Sequence, residues 1–78
     1  MQMRAAEMTP ISSFRRGIIW AAAKRCADLG NIEAALVDEF TQYLVDLDVR
    51  EQAENPNTEW AYAQIRSFKR WRMRRKFG

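Results

Sequence analysis

The chain contains no histidine. That removes zinc sites built on Cys and His, and it removes the commonest general base near neutral pH. A Ser-His-Asp or Cys-His arrangement is therefore impossible, and Ser12, Ser13 and Ser67 have no base beside them. Cysteine is nearly as scarce. Cys26 stands alone, so no intramolecular disulfide can form, which favours a reducing compartment. The three glycines, Gly17, Gly30 and Gly78, are too scattered for a phosphate-cradling loop. Asp46 and Asp48 are two apart and on a helix would point to different sides, so they make a poor acid–base pair or metal site. Together these absences predict a protein that is not an enzyme, with no catalytic residue, no metal and no cofactor.

No apolar run approaches the roughly 18 residues of a membrane-spanning helix. Ser13 to Ile19, followed by Ala21-Ala22-Ala23, faintly resembles a twin-arginine export signal. Its apolar stretch, Gly17 to Ala23, sits at the bottom of the usual range of about 7–15 residues, and cleavage would leave only a fragment. A cytoplasmic location is the expectation.

What is present is a folding composition. Of 78 residues, 47% are hydrophobic, with three Trp, four Phe and two Tyr, which is too apolar for intrinsic disorder. A chain this short buries only about 60–65% of the surface its unfolded form exposes, so its core is shallow. Self-association as a homodimer would bury surplus aromatic surface.

Charge is segregated along the chain. Residues 1–31 carry five basic and two acidic groups, and residues 32–59 carry eight acids against the single Arg50. Residues 60–78 carry seven basic groups and no acid. Such asymmetry describes a dipolar molecule whose ends meet different partners.

Helical spacing recurs throughout, and the predicted fold is all-α: a small three-helix single domain over residues 9–78 with a basic C-terminal helix. Residues 1–8 read as a frayed lead-in. The first helix, about 10–29, opens with Thr9 as N-cap and Pro10 at the first helical position. Its stripe is Ile11, Phe14, Ile18, Ala22, Cys26 and Leu29, and Gly30 stops it. Cys26 on this stripe reads as a small buried hydrophobe. Gly17 inside the helix points to close packing against a neighbour.

The second helix, about 32–53, takes Asn31 as cap and Ile32, Leu36, Phe40, Tyr43, Leu44 and Leu47 as its stripe, flanked by Val37. Its late acids oppose the helix dipole, so fraying is expected beyond Asp48. The third, about 58–75, is capped by Asn57 or Thr58. Ala61, Ile65 and Phe68 define its inner arc, with Trp60 and Trp71 at the edge, while Tyr62 and Met73 lie on the other side. Arg66, Arg70 and Arg74 form the outer face, whereas Arg72 and Lys76 project onto the inner arc. The last turn or two should therefore leave the core. The expected core is Ile11, Phe14, Ile18, Ala22, Leu29, Leu36, Phe40, Leu44, Leu47, Ile65 and Phe68.

The functional signal is concentrated at the end. Seven of the eleven residues from Arg66 to Lys76 are basic, interleaved with Phe68 and Trp71. Guanidinium groups bind phosphate oxygens bidentately, and aromatic rings stack on unpaired bases. The candidate binding residues are thus Arg66, Lys69, Arg70, Trp71, Arg72, Arg74, Arg75 and Lys76, with nucleic acid or an acidic protein surface as partner. The same arginines could instead pair with the acidic middle helix, and an anionic membrane is the least favoured partner. Asp38, Val45, Asp46 and Val49 form a second candidate patch, for protein contact. The expected function is that of a small binding or regulatory protein contacting nucleic-acid phosphates. The alternative is an inhibitor or adaptor, of the type phages and mobile elements encode, docking on a larger complex.

Overall fold

The computed structural model describes residues 13–77, and every regular element among them is helical. Four α-helices follow in order: α1 (Ser13–Asp28), α2 (Val37–Glu51), α3 (Thr58–Ala63) and α4 (Ile65–Phe77), with a 3-10 turn, Ala34–Leu36, leading into α2. The lead-in at residues 1–8, the Thr9 cap, the Pro10 opening and Ile11 lie outside the described residues.

Gly30 ends α1 as expected. Its φ of 81° is the left-handed conformation that glycine adopts without a Cβ penalty. The Gly30 N–H donates to the Ala27 carbonyl (2.9 Å) and the Asn31 N–H donates to that of Cys26 (2.8 Å). This pairing satisfies carbonyls that a helix end otherwise leaves without partners. Asn31 is consumed by that motif and caps nothing. The next helical turn starts three residues later, at Ala34.

The inner face of α1 differs from the expected one. Ile19, Ala22, Ala23 and Cys26 are buried, whereas Phe14 is 80% exposed and Leu29 56%, with Ile18 also on the outside. Apolar residues surround this helix, so two adjacent arcs share Ala22 and Cys26 and periodicity does not choose between them. Packing chooses the arc with small side chains, because α1 lies against both α2 and α3. Gly17 is not explained by close packing: a Cβ there would meet nothing within 4 Å.

The central helix is α2. Val37, Phe40, Leu44, Val45 and Leu47 are buried, and Thr41 is buried with its hydroxyl donating to the Val37 carbonyl (2.8 Å). Leu36, in the 3-10 turn, is only half-buried against this core. No fraying begins at Asp48. The helix continues to Glu51, and Asp48 is 4% exposed. Its Oδ2 accepts from Arg15 Nε (2.6 Å), and Oδ1 accepts from Arg15 Nη2 (3.0 Å) and from the Ala53 N–H (2.8 Å). Arg15 Nη2 also donates to the Ala53 carbonyl. A carboxylate expected to oppose the dipole thus staples the end of α2 to the start of α1. The Arg15 hydrogen bond holds the Asp48 carboxyl below its ordinary pKa, against desolvation and with help from the Ala53 amide.

Asn57 caps α3, its side chain accepting from the Trp60 N–H (3.0 Å). The expected single third helix breaks at Gln64. There the backbone N–H turns to the Ala61 carbonyl (3.0 Å), and the side-chain amide takes the Trp60 carbonyl instead (3.1 Å). The two pieces answer to different partners. Ala61 of α3 is buried toward α1, and α4 presents Phe68 to α2, its ring centroid 4.8 Å from that of Phe40. Tyr43 joins this group at 5.4 Å from Phe68 and 5.1 Å from Trp71. Phe40 and Phe68 are wholly buried, and the aromatic cluster fixes how α4 lies on the domain.

Candidate functional site

Because Ile65 and Phe68 are held inward, the rest of α4 is held outward. Taking about 100° per residue, Lys69, Met73, Arg66, Arg70, Arg74 and Ser67 sweep in that order across the side away from the core, while Lys76 projects beside the Ile65 arc in the final turn. All seven are exposed. Among the described residues, Arg66, Lys69, Arg70, Arg74 and Lys76 form no ion pair.

The other basic residues of α4 are engaged within the fold. Arg72 is half-buried, with Nε 3.1 Å from Glu39 Oε1. That nitrogen is not aimed at the oxygen, so the contact is electrostatic rather than a hydrogen bond. Arg75 Nη1 lies 3.8 Å from Glu39 Oε2, and its guanidinium sits 4.6 Å from the centre of the Trp71 ring. Trp71 is half-buried against Phe68 and Tyr43 and carries Arg75 on its ring, so it is chiefly a structural contact. The expectation that the last turns leave the core holds for Lys76 and fails for Arg72, because Glu39 of α2 lies opposite it.

A groove runs along each flank of α4. One is lined by Asn31, Tyr62, Ile65, Arg66, Ser67 and Lys69. Tyr62 is 58% exposed there. The other lies between α2 and α4, where Arg50, Arg70 and Arg74 line a common groove with Tyr43, Asp46 and Trp71. Neither Tyr62 nor Arg50 stood out as a binding residue in the sequence. Tyr62 was visible as an aromatic off the inner arc. Arg50 carried no signal, since its own segment is acidic.

The second candidate patch divides. Asp38, Asp46 and Val49 share a narrow outward strip of α2, but Val45 is 2% exposed and belongs to the core. Val45 packs in the core cluster, a placement its sequence neighbours do not reveal. On the strip, Arg16 Nη1 donates to Gln42 Oε1 (3.4 Å), and Gln42 Nε2 donates to Asp46 Oδ1 (3.0 Å). Asp46 is thereby held by a neutral amide on its own helix. Cys26 is fully buried, and burial pushes its thiol pKa up, which disfavours the reactive thiolate.

Among the described residues no group of three or more His, Cys, Asp or Glu could hold a metal ion, and no helix is long and apolar enough to cross a membrane. What the site offers chemically is positive charge arrayed along a helix, with hydrogen-bond donors suited to phosphate oxygens. No protein family, curated protein or solved structure matches this chain.

Proposed function

We propose that the protein is a small, non-catalytic nucleic-acid-binding protein that grips backbone phosphates with the outer face of α4. One observation carries this reading. Arg66, Lys69, Arg70 and Arg74 stand exposed on a helix whose other side is anchored by Phe68, and none is ion-paired among the described residues. Phosphate binding needs such groups free of internal partners, and the ordered helix fixes their backbone spacing so that the freedom lost on contact is that of the side chains alone. The acids Asp38 and Asp46 lie on α2, off this ridge.

The test is fluorescence anisotropy with a labelled 20-nucleotide single strand and the corresponding duplex, from 50 to 300 mM salt. Wild type should bind with an affinity that falls linearly in log–log form as salt rises. The Arg70→Gln, Arg74→Gln double variant should lower the slope by about 0.7 per lost contact on single strands and about 0.9 on duplex. Arg72→Gln should change binding little, because Glu39 already holds that side chain. Absence of wild-type binding at about 150 mM salt defeats the reading.

A second reading rests on α1. Phe14 at 80% exposure, Ile18 and Ala21 share its outward face, which is the kind of apolar surface an adaptor or inhibitor uses. In that case a partner protein should survive nuclease treatment and be lost with Phe14→Ser, Ile18→Ser.

A further inference from the structure

The groove between α2 and α4 brings together arginines that are distant in sequence. Arg50 comes from the last turn of α2, and Arg70 and Arg74 come from consecutive turns of α4. Ser67 lines the same groove, together with Tyr43 and Trp71. We propose that this groove is a phosphate clamp for the nucleic-acid backbone, with Arg50 as its third guanidinium; the proposal rests on the phosphate-binding reading of α4.

Three features support it. Arg50, Arg70 and Arg74 are all exposed, and none is ion-paired among the described residues, so their donors are available together. Arginines approaching from two helices can meet one phosphate from different sides, which a single helical face cannot do. The aromatic lining is also anchored to the core. Tyr43 and Trp71 lie 5.1 Å apart between ring centres, each packed on the buried core, so the groove does not have to form upon binding.

Asp46 is the one acid in the groove. It is held by Gln42 Nε2 at 3.0 Å, and Gln42 is in turn held by Arg16 of α1. The carboxylate therefore neutralises none of the three arginines by direct contact, yet its charge opposes an incoming phosphate. Asp46 weakens the clamp, and its removal should tighten it.

The opposite signs of these two effects define the experiment. Arg50→Gln, Asp46→Asn and the control Arg25→Gln are titrated with the same single-stranded and duplex probes. Arg25 is exposed on α1, away from the groove. Arg50→Gln should weaken binding roughly fivefold to tenfold at 0.1 M salt, because a contact contributing about 0.7–0.9 to the log–log slope is worth about that factor there. Its slope should fall by the same 0.7–0.9. Asp46→Asn should strengthen binding to the same probes, and Arg25→Gln should leave affinity unchanged. A single-strand effect without a duplex effect, or the reverse, assigns the clamp to that backbone form. If wild type binds and responds to Arg70→Gln, Arg74→Gln but Arg50→Gln matches wild type in affinity and slope, the clamp is wrong while the α4 reading stands. If wild type binds neither probe, both fall.

Discussion

Phe40 and Phe14 are both phenylalanines that sequence periodicity assigns to the core, and the structure separates them. Phe40 is 0% exposed and its ring centre lies 4.8 Å from that of Phe68. Phe14 is 80% exposed. Removing the Phe40 ring returns roughly 150 Å² of apolar surface at about 25 cal/mol/Å², or about 4 kcal/mol, and forfeits an aromatic pair of about 1 kcal/mol. Partial relaxation around the cavity brings Phe40→Ala to about 3–5 kcal/mol. A chain of this length holds roughly 4–12 kcal/mol in total. The loss is thus a large fraction of the whole. At about 4–8 °C per kcal/mol, Phe40→Ala should melt at least about 12 °C lower or lose its cooperative transition. Phe14→Ala, as a surface change, should stay within about 0.5 kcal/mol. Thermal unfolding followed by circular dichroism at 222 nm compares the two directly. A Phe40→Ala protein melting at the wild-type temperature, or a Phe14→Ala loss as large as that of Phe40→Ala, would refute the assignment of the α1 and α2 faces.

The remaining expectations concern the staple and the two glycines described. The folded-state pKa of Asp48 is held below its unfolded value, so its pairing with Arg15 stabilises the fold at neutral pH and is lost as pH falls through that lowered value. Asp48→Asn should therefore melt lower than wild type at pH 7, and the gap should close in strong acid; parallel melting curves between pH 2 and 7 would show that the staple contributes nothing. Gly17→Ala should raise stability by about 0.5–1 kcal/mol, since open space surrounds the added methyl and alanine is the better helix former. Gly30→Ala should lower it by about 1–2 kcal/mol, because φ of 81° is strained for any residue with a Cβ. Denaturant titration giving the same sign for both glycine variants would contradict the helix-end geometry.

Much of the fold is written locally. The Gly30 stop, the Asn57 cap, the inward Phe40, Leu44, Ile65 and Phe68 and the outward Arg66, Arg70 and Arg74 all follow from interactions within a few residues. A cap is satisfied by a neighbouring N–H, and a face is set by the helical repeat, so the chain carries both without reference to the rest of the domain. Tertiary packing decided what local signals leave degenerate. α1 is apolar on nearly all sides, and only its contacts with α2 and α3 selected Ile19 and Ala23 over Phe14 and Ile18. Asp48 reads as a liability at a helix end until Arg15, 33 residues away, supplies its partner. The candidate site divides the same way. Its basic face is a matter of composition and periodicity. Which of its cations are engaged depends on where Glu39 lies, and Arg50 joins Arg70 and Arg74 because the Phe40–Phe68 contact lays α4 alongside α2. Charge along a chain is a property of sequence, whereas the convergence of charges depends on distances that only the folded core sets.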